Sequence, residues 1–203
     1  MSEVASPPQA AIDAAIEAAK LSPCAKSKRG VSVYSTAQTL PFAIVGTGFN
    51  HPADGSSCDK GDACRALCRE VCIHAETAAV LDALNARSLP YTRPDLELVH
   101  VKLDEKKELV AGGPPSCWPC ANLIRASGLW AVWLYEDMHE GPTWTRRLAP
   151  QFLRSTLYRQ PQHPDYEPRN AIELPCGGCK EHDGAKRDKR GRWRCVRCAF
   201  PAP

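Results

Sequence analysis

The chain has 203 residues, of which 43% are hydrophobic and 24% charged. This length allows one core-forming domain with a small appendage and excludes two full-size domains. No apolar stretch approaches the length of a membrane span, and the N-terminus lacks a basic segment followed by an apolar core, which argues against a secretory signal. We therefore expect a cytoplasmic protein whose thiols are kept reduced.

The net charge of +3 is unevenly distributed along the chain. Residues 176–203 contain eight Lys or Arg and three acidic residues, a balance of +5, so the rest of the chain carries −2. Any electrostatic attraction for polyanions is therefore predicted to lie in the tail.

The predicted elements alternate between helices and strands. In chain order, the periodicity of apolar residues predicts a helix over 9–21, strands over 31–35 and 42–47, an irregular segment over 50–72, a helix over 73–84, strands over 96–103 and 109–111, a helix over 117–127, a strand over 129–135 and a helix over 145–157. The helix over 73–84 is predicted to bury a stripe of Ile73, Ala78, Leu81 and Leu84. This order predicts an α/β fold, a three-layer α/β/α sandwich over 9–158.

The strongest motif joins His74-Ala75-Glu76 at the start of one helix to Cys117-Trp118-Pro119-Cys120 at the start of another. A catalytic zinc takes three protein ligands and keeps a fourth position for water. His74, Cys117 and Cys120 can supply these ligands, and zinc lowers the pKa of the bound water. Glu76 can then act as the catalytic acid–base, moving the water proton to N3 of a cytosine ring and then to the leaving ammonia.

Two alternatives explain the same residues without catalysis. His74 and the cysteines could form a structural zinc site, or the CxxC could be a redox pair. A structural site normally has a fourth protein ligand, and a redox pair does not require His-Ala-Glu upstream.

The sequence resembles the deoxycytidylate (dCMP) deaminases of the cytidine deaminase superfamily over about residues 10–135. The resemblance is carried by SPCAKSKRGV, GTGFNHP, CIHAE and PSCWPC. It implies a cytidine-deaminase-like fold, a homo-oligomer and a small nucleotide substrate. It implies that Asn50 contacts the sugar, although Asn50 also suits a residue that stabilises a tight loop. Further substrate contacts are expected from Ala75, Ser116 and Tyr135.

The resemblance also implies a second, structural zinc, because phage-type dCMP deaminases carry one in the loop before the catalytic helix. The matching positions are Cys24, Cys58, Cys64 and Cys68. A closed four-ligand zinc would order a loop that has little apolar content. The alternative is that these cysteines are small buried apolar residues, as we expect for Cys72.

A zinc ribbon is predicted over 176–198, after a proline-rich linker over 159–175. Two CxxC pairs, fifteen residues apart, supply its ligands Cys176, Cys179, Cys195 and Cys198. Basic residues and Trp193 in this segment could bind phosphates and stack on a base, which makes nucleic acid a possible partner. The ribbon could equally be a solvated knuckle that packs on protein.

We predict that the chain hydrolyses dCMP to dUMP and ammonia with one catalytic and up to two structural Zn²⁺ ions. The alternatives are a deaminase of cytosine in single-stranded nucleic acid, tethered by the ribbon, and a non-catalytic nucleic-acid-binding protein on a deaminase scaffold. The presence of Glu76 argues against the last. His100, on its predicted strand, is interpreted as a packing residue.

Overall fold

The computed structural model describes residues 6–25, 27–36, 42–55, 58, 72–86, 95–112, 117–139, 141–157, 186–187 and 193–194. The chain divides into two compact units, Met1–Leu153 and Arg154–Pro203. Within the described residues, no helix combines the length and the apolar character needed to cross a bilayer.

The first unit alternates helices with strands, as the sequence predicts. Its elements are α1 (Gln9–Lys20), β1 (Lys28–Ser35), β2 (Ile44–Phe49), β3 (His51–Pro52), β4 (Cys72–Ile73), α2 (Ala75–Asn85), β5 (Leu96–Leu103), β6 (Leu109–Val110), α3 (Trp118–Ala126), β7 (Ala131–Met138), β8 (Gly141–Leu148) and the start of α4 (Ala149–Leu157).

A mixed sheet forms the middle of the first unit. Its strand order is β2-β1-β5-β7-β8, with β6 added to β5. β5 and β7 are parallel, whereas β1–β2, β1–β5 and β7–β8 are antiparallel pairs. β3 and β4 form a separate two-stranded ribbon immediately before α2.

Helices cover both faces of this sheet. One face, with Val31, Leu98 and Val132, packs against α2, α3 and the start of α4. The opposite face, with Val99 and Trp133, packs against α1. Because side chains alternate between the two faces of a strand, the sheet is buried from both sides. The predicted three-layer α/β class is confirmed.

Glycines let the helices lie unusually close to the sheet. A Cβ added at Gly48 of β2 would lie 2.2 Å from the backbone nitrogen of Ala79 in α2. A Cβ added at Gly30 of β1 would lie 2.0 Å from the carbonyl oxygen of Ala15 in α1. The residues of the helices that face these glycines are alanines. The backbone of each helix therefore packs directly against the backbone of the strand.

Two predictions about helices are wrong in detail. α2 buries Ala75, Ala79, Val80 and Ala83, whereas Leu81 and Leu84 of the predicted stripe are 45% and 39% exposed. The close approach at Gly48 explains this, because only small side chains fit between the helix and β2. The helix predicted from residue 145 begins only at Ala149, since residues 141–148 pair with β7 as a strand.

In the second unit, β9 (Lys186–Arg187) and β10 (Trp193–Arg194) form an antiparallel pair. The predicted ribbon ligands Cys176, Cys179, Cys195 and Cys198 lie outside the described residues, so the ribbon stays a prediction.

Candidate metal centre

The starts of two helices bring the three predicted catalytic ligands together. His74 is the N-cap of α2 and Cys117 is the N-cap of α3, with Cys120 in the first turn of α3. The Cys117 sulfur accepts a hydrogen bond from the backbone N–H of Cys120, 3.4 Å away. Thiolates at a helix N-terminus are stabilised by the helix dipole and by the free N–H groups there.

The donor atoms of these residues face one another. Nδ1 of His74 lies 3.1 Å from Sγ of Cys117 and 3.2 Å from Sγ of Cys120. In a tetrahedral zinc site, a nitrogen and a sulfur ligand are about 3.6 Å apart, so a small opening of the cluster would admit the ion. One imidazole and two thiolates are a donor set that zinc prefers. His74, Cys117 and Cys120 could therefore hold a metal ion.

The thiols of Cys117 and Cys120 differ in pKa. A hydrogen bond from Cys120 lowers the pKa of Cys117, against the opposing effect of burial. The same bond, followed by burial, raises the pKa of Cys120. Zinc binds cysteine as the thiolate, so binding of the ion would require both thiols to lose their protons.

Glu76 lies in the first turn of α2 but does not belong to the group of converging donor atoms. It is 7% exposed. Burial acts to raise its pKa, yet the pKa is lowered overall by His100, by the backbone N–H of Glu76 itself, by His74 and by Arg29. A buried carboxylate next to a metal cluster that it does not ligate has the position of an acid–base group.

His100 is a residue of this region that the sequence pattern did not reveal. We interpret it from the sequence as a packing residue, and burial lowers its pKa to about 4, with Arg29 and His74 adding to this effect and Glu76 opposing it. His100 is therefore neutral at neutral pH. The missed signal is a polar residue that follows Leu96 and Leu98 on the same face of the strand.

Asn50 lies at the end of β2 and bonds the protein backbone. Its Oδ1 accepts from the backbone N–H of Arg29 (2.8 Å), and its Nδ2 donates to the carbonyl oxygen of Ser27 (2.9 Å). The hydroxyl of Ser22 donates to the backbone carbonyl of Asn50 at 2.7 Å. These bonds agree with the loop-stabilising interpretation, and the predicted sugar contact stays a prediction.

The other predicted substrate contacts lie in different places. Ala75 is buried between His74 and Glu76 at the start of α2. The structure does not bring Tyr135 to the cluster: its ring is 5.2 Å from that of Trp144, on the sheet face that packs against α1. Ser116 lies outside the described residues.

Two of the four predicted structural zinc ligands also meet. Cys24 and Cys58 are buried, and their sulfurs are 3.8 Å apart. Two thiolates on one tetrahedral zinc are also about 3.8 Å apart, given a Zn–S bond of about 2.3 Å. Cys64 and Cys68 lie outside the described residues, so the four-cysteine site remains a prediction.

No protein-family model and no curated protein matches the chain. Among solved structures, the fold is similar to that of the dCMP deaminase of cyanophage S-TIM5, with a TM-score of 0.42 and 18% identity, covering 61% of this chain and 78% of that one. It is also similar to the cytidine deaminase of Burkholderia pseudomallei, with a TM-score of 0.43 and 20% identity over 72% of this chain and 96% of that one. The cytidine deaminase of Mycobacterium leprae gives a TM-score of 0.37 at 17% identity, over 71% and 95%. These likenesses concern the fold alone.

Proposed function

We propose that the chain is a zinc-dependent hydrolase that deaminates a cytosine nucleotide, with dCMP as the substrate and dUMP and ammonia as the products. The observation that carries the proposal is the cluster of His74, Cys117 and Cys120 beside the buried carboxylate of Glu76. Within the described part of the chain three ligands converge, and a tetrahedral zinc held by three protein ligands would keep one position for water, as catalytic zinc sites do.

His74, Cys117 and Cys120 would hold the zinc ion, which would supply a bound water of lowered pKa. Glu76 takes a proton from that water and gives it to N3 of the cytosine ring, while the water oxygen bonds to C4. Glu76 then takes the proton of the new C4 hydroxyl and gives it to the amino group, the C4–N bond breaks, and ammonia leaves as the C4 carbonyl forms. The nucleotide product has a carbonyl at C4, so one water is consumed for each ammonia released.

The choice of dCMP rests on the sequence resemblance and on charge. The chain before residue 176 has a net charge of −2, which suits a small substrate in a closed site better than a long polyanion in a basic groove. Deamination in single-stranded nucleic acid is the second candidate, since the basic tail could tether such a substrate.

The test is ammonia release by the purified, zinc-loaded chain with cytidine, deoxycytidine, CMP, dCMP, dCTP and single-stranded DNA that contains cytosine. Turnover of dCMP alone is the expected result. Turnover of DNA alone would keep the chemistry and overturn the choice of substrate, and turnover of the nucleosides alone would overturn the choice of a nucleotide.

The role of Glu76 is tested with Glu76→Gln, which keeps the shape of the side chain but cannot carry protons as a carboxylate can. We expect kcat to fall by at least about 100-fold with the zinc content unchanged. Glu105→Gln is the matched control, because Glu105 is exposed in the turn between β5 and β6. Normal turnover by Glu76→Gln would rule out the mechanism.

A further inference from the structure

Arg29 and His100, which the deamination steps above do not use, lie side by side on the sheet near Glu76. Arg29 is in β1 and His100 in the neighbouring antiparallel strand β5, where His100 pairs with Val31. Arg29 and Val31 are two residues apart, so their side chains point to the same face of the sheet. That face packs against α2, the helix that carries Glu76.

The contact between the two side chains defines a tautomer. Nη1 of Arg29 lies 3.3 Å from Nε2 of His100. A guanidinium has donors and no acceptor and is always charged in proteins, so Nε2 must be the acceptor. The proton of the neutral imidazole is then on Nδ1.

The backbone of Arg29 is itself held in place by Asn50. The N–H of Arg29 donates to Oδ1 of Asn50, and the carbonyl oxygen of Arg29 accepts from the N–H of Asn50 at 3.2 Å. The guanidinium is therefore attached to a fixed point, which reduces the entropy lost when it bonds His100.

We propose that Arg29 is a positioning residue of the deamination site, which holds His100 as the Nδ1–H tautomer beside Glu76. This inference rests on the proposed function. Its chemical consequence is that the basic nitrogen of His100 is already occupied by a donor. The imidazole therefore cannot take the proton that Glu76 must carry to N3 and to ammonia, and Glu76 remains the carrier.

The first experiment compares Arg29→Met, Arg29→Lys and the control Arg125→Met in the full zinc-loaded chain. Arg125 is exposed at the end of α3, so its change removes the same charge away from β1. We expect Arg29→Met to lower kcat by about 10- to 100-fold, as for other residues that orient a ligand or acid–base group, with KM little changed. Arg29→Lys keeps a charged donor and should recover part of the loss. Thermal unfolding identifies a variant that fails to fold.

The second experiment asks whether Arg29 acts through His100. Nitrogen-15 NMR of the histidine side chains should show Nδ1–H for His100 in the unaltered chain and in Arg29→Lys, and a changed protonation pattern in Arg29→Met. The signal is assigned by its loss in His100→Gln. In the double variant, Arg29→Met should add little to the effect of His100→Gln, because the interaction is already gone.

The outcomes separate this inference from the function on which it rests. An unaltered chain without turnover on any cytosine substrate would overturn both. Normal turnover by Arg29→Met, an unchanged His100 tautomer in that variant, or independent losses in the double variant would overturn the role of Arg29 alone.

Discussion

The side-chain amide of Asn50 bonds the backbone of the segment that leads into β1, and this suggests how to separate its two possible roles. Asn50→Ala would leave the backbone N–H of Arg29 and the carbonyl of Ser27 without their partners. We expect a loss of about 1–3 kcal/mol in the free energy of unfolding. Urea unfolding measures this loss, and Asn85→Ala, at the exposed end of α2, is the control.

A pure sugar contact at Asn50 predicts a different result. In that case Asn50→Ala would raise KM with the stability unchanged. A stable variant with raised KM would therefore contradict the loop-stabilising role, and a less stable one with normal KM would contradict the sugar contact.

Some residues of the candidate site could be predicted from a sequence pattern, and others could not. His74, Glu76, Cys117 and Cys120 could be predicted because metal chemistry demands particular atoms at particular spacings. His100 could not be predicted as a residue of this region, because the contact that distinguishes it is a hydrogen bond to Arg29, 71 positions away in the sequence. Strand pairing creates that contact, and no local pattern in the sequence encodes it.

At the scale of elements, the order of helices and strands could be predicted from the sequence. The face that each element buries was harder to predict. The prediction for α2 follows the largest apolar side chains, whereas the close contact with Gly46 and Gly48 of β2 turns a face of alanines toward the strand. The helix predicted over 145–157 includes the last four residues of β8, and the sequence GPTWTRRL lacks the clear alternation of apolar and polar groups that would indicate a strand. Its conformation depends on pairing with β7, a tertiary effect that overrides local propensity.

The sheet carries a buried acidic group away from the metal cluster. Glu97 of β5 accepts hydrogen bonds from Trp133 (2.5 Å) and Tyr34 (3.0 Å) and forms an ion pair with Arg146. Burial acts to raise the pKa of Glu97, but Arg146, Trp133 and Tyr34 lower it overall. These residues join β1, β5, β7 and β8, so the carboxylate ties together four strands of the sheet.

This network predicts a pH-dependent contribution to stability. Because the folded pKa of Glu97 is lowered, its contribution is present above the unfolded value of about 4.3 and is lost as the pH falls through the folded value. Glu97→Gln should lower the free energy of unfolding by about 1–3 kcal/mol at pH 7, and the difference from the unaltered chain should shrink below about pH 4.3.

Urea unfolding of the metal-free forms between pH 7 and about pH 2 checks this, because the loss is expected below the unfolded pKa, with Glu17→Gln as the control. Glu17 forms an exposed pair with Lys20 on α1, so its removal should cost little at any pH. A loss for Glu97→Gln that does not change with pH would show that the carboxylate charge is not what matters.

For the whole molecule, the prediction of three separate metal sites rests on the distribution of the cysteines in the sequence. All eleven cysteines but Cys72 fall into groups that contain a CxxC pair or match the structural site of the resembled family. Only the group around His74 is complete within the described residues. The group around Cys24 is represented there by two sulfurs at the spacing of a tetrahedral metal.

Metal analysis of the full chain, purified under reducing conditions, therefore tests the molecule as a whole. We expect about three zinc ions per chain, one for each group. Cys24→Ser and Cys176→Ser should each remove one ion, because a structural site that loses a thiolate binds zinc far more weakly, and Cys117→Ser should remove one ion together with turnover. Cys72→Ser is the control and should keep all three. If the Cys24→Ser chain retained the full zinc content, Cys24 would not be a zinc ligand. The 3.8 Å contact between the sulfurs of Cys24 and Cys58 would then be a contact between buried packing residues.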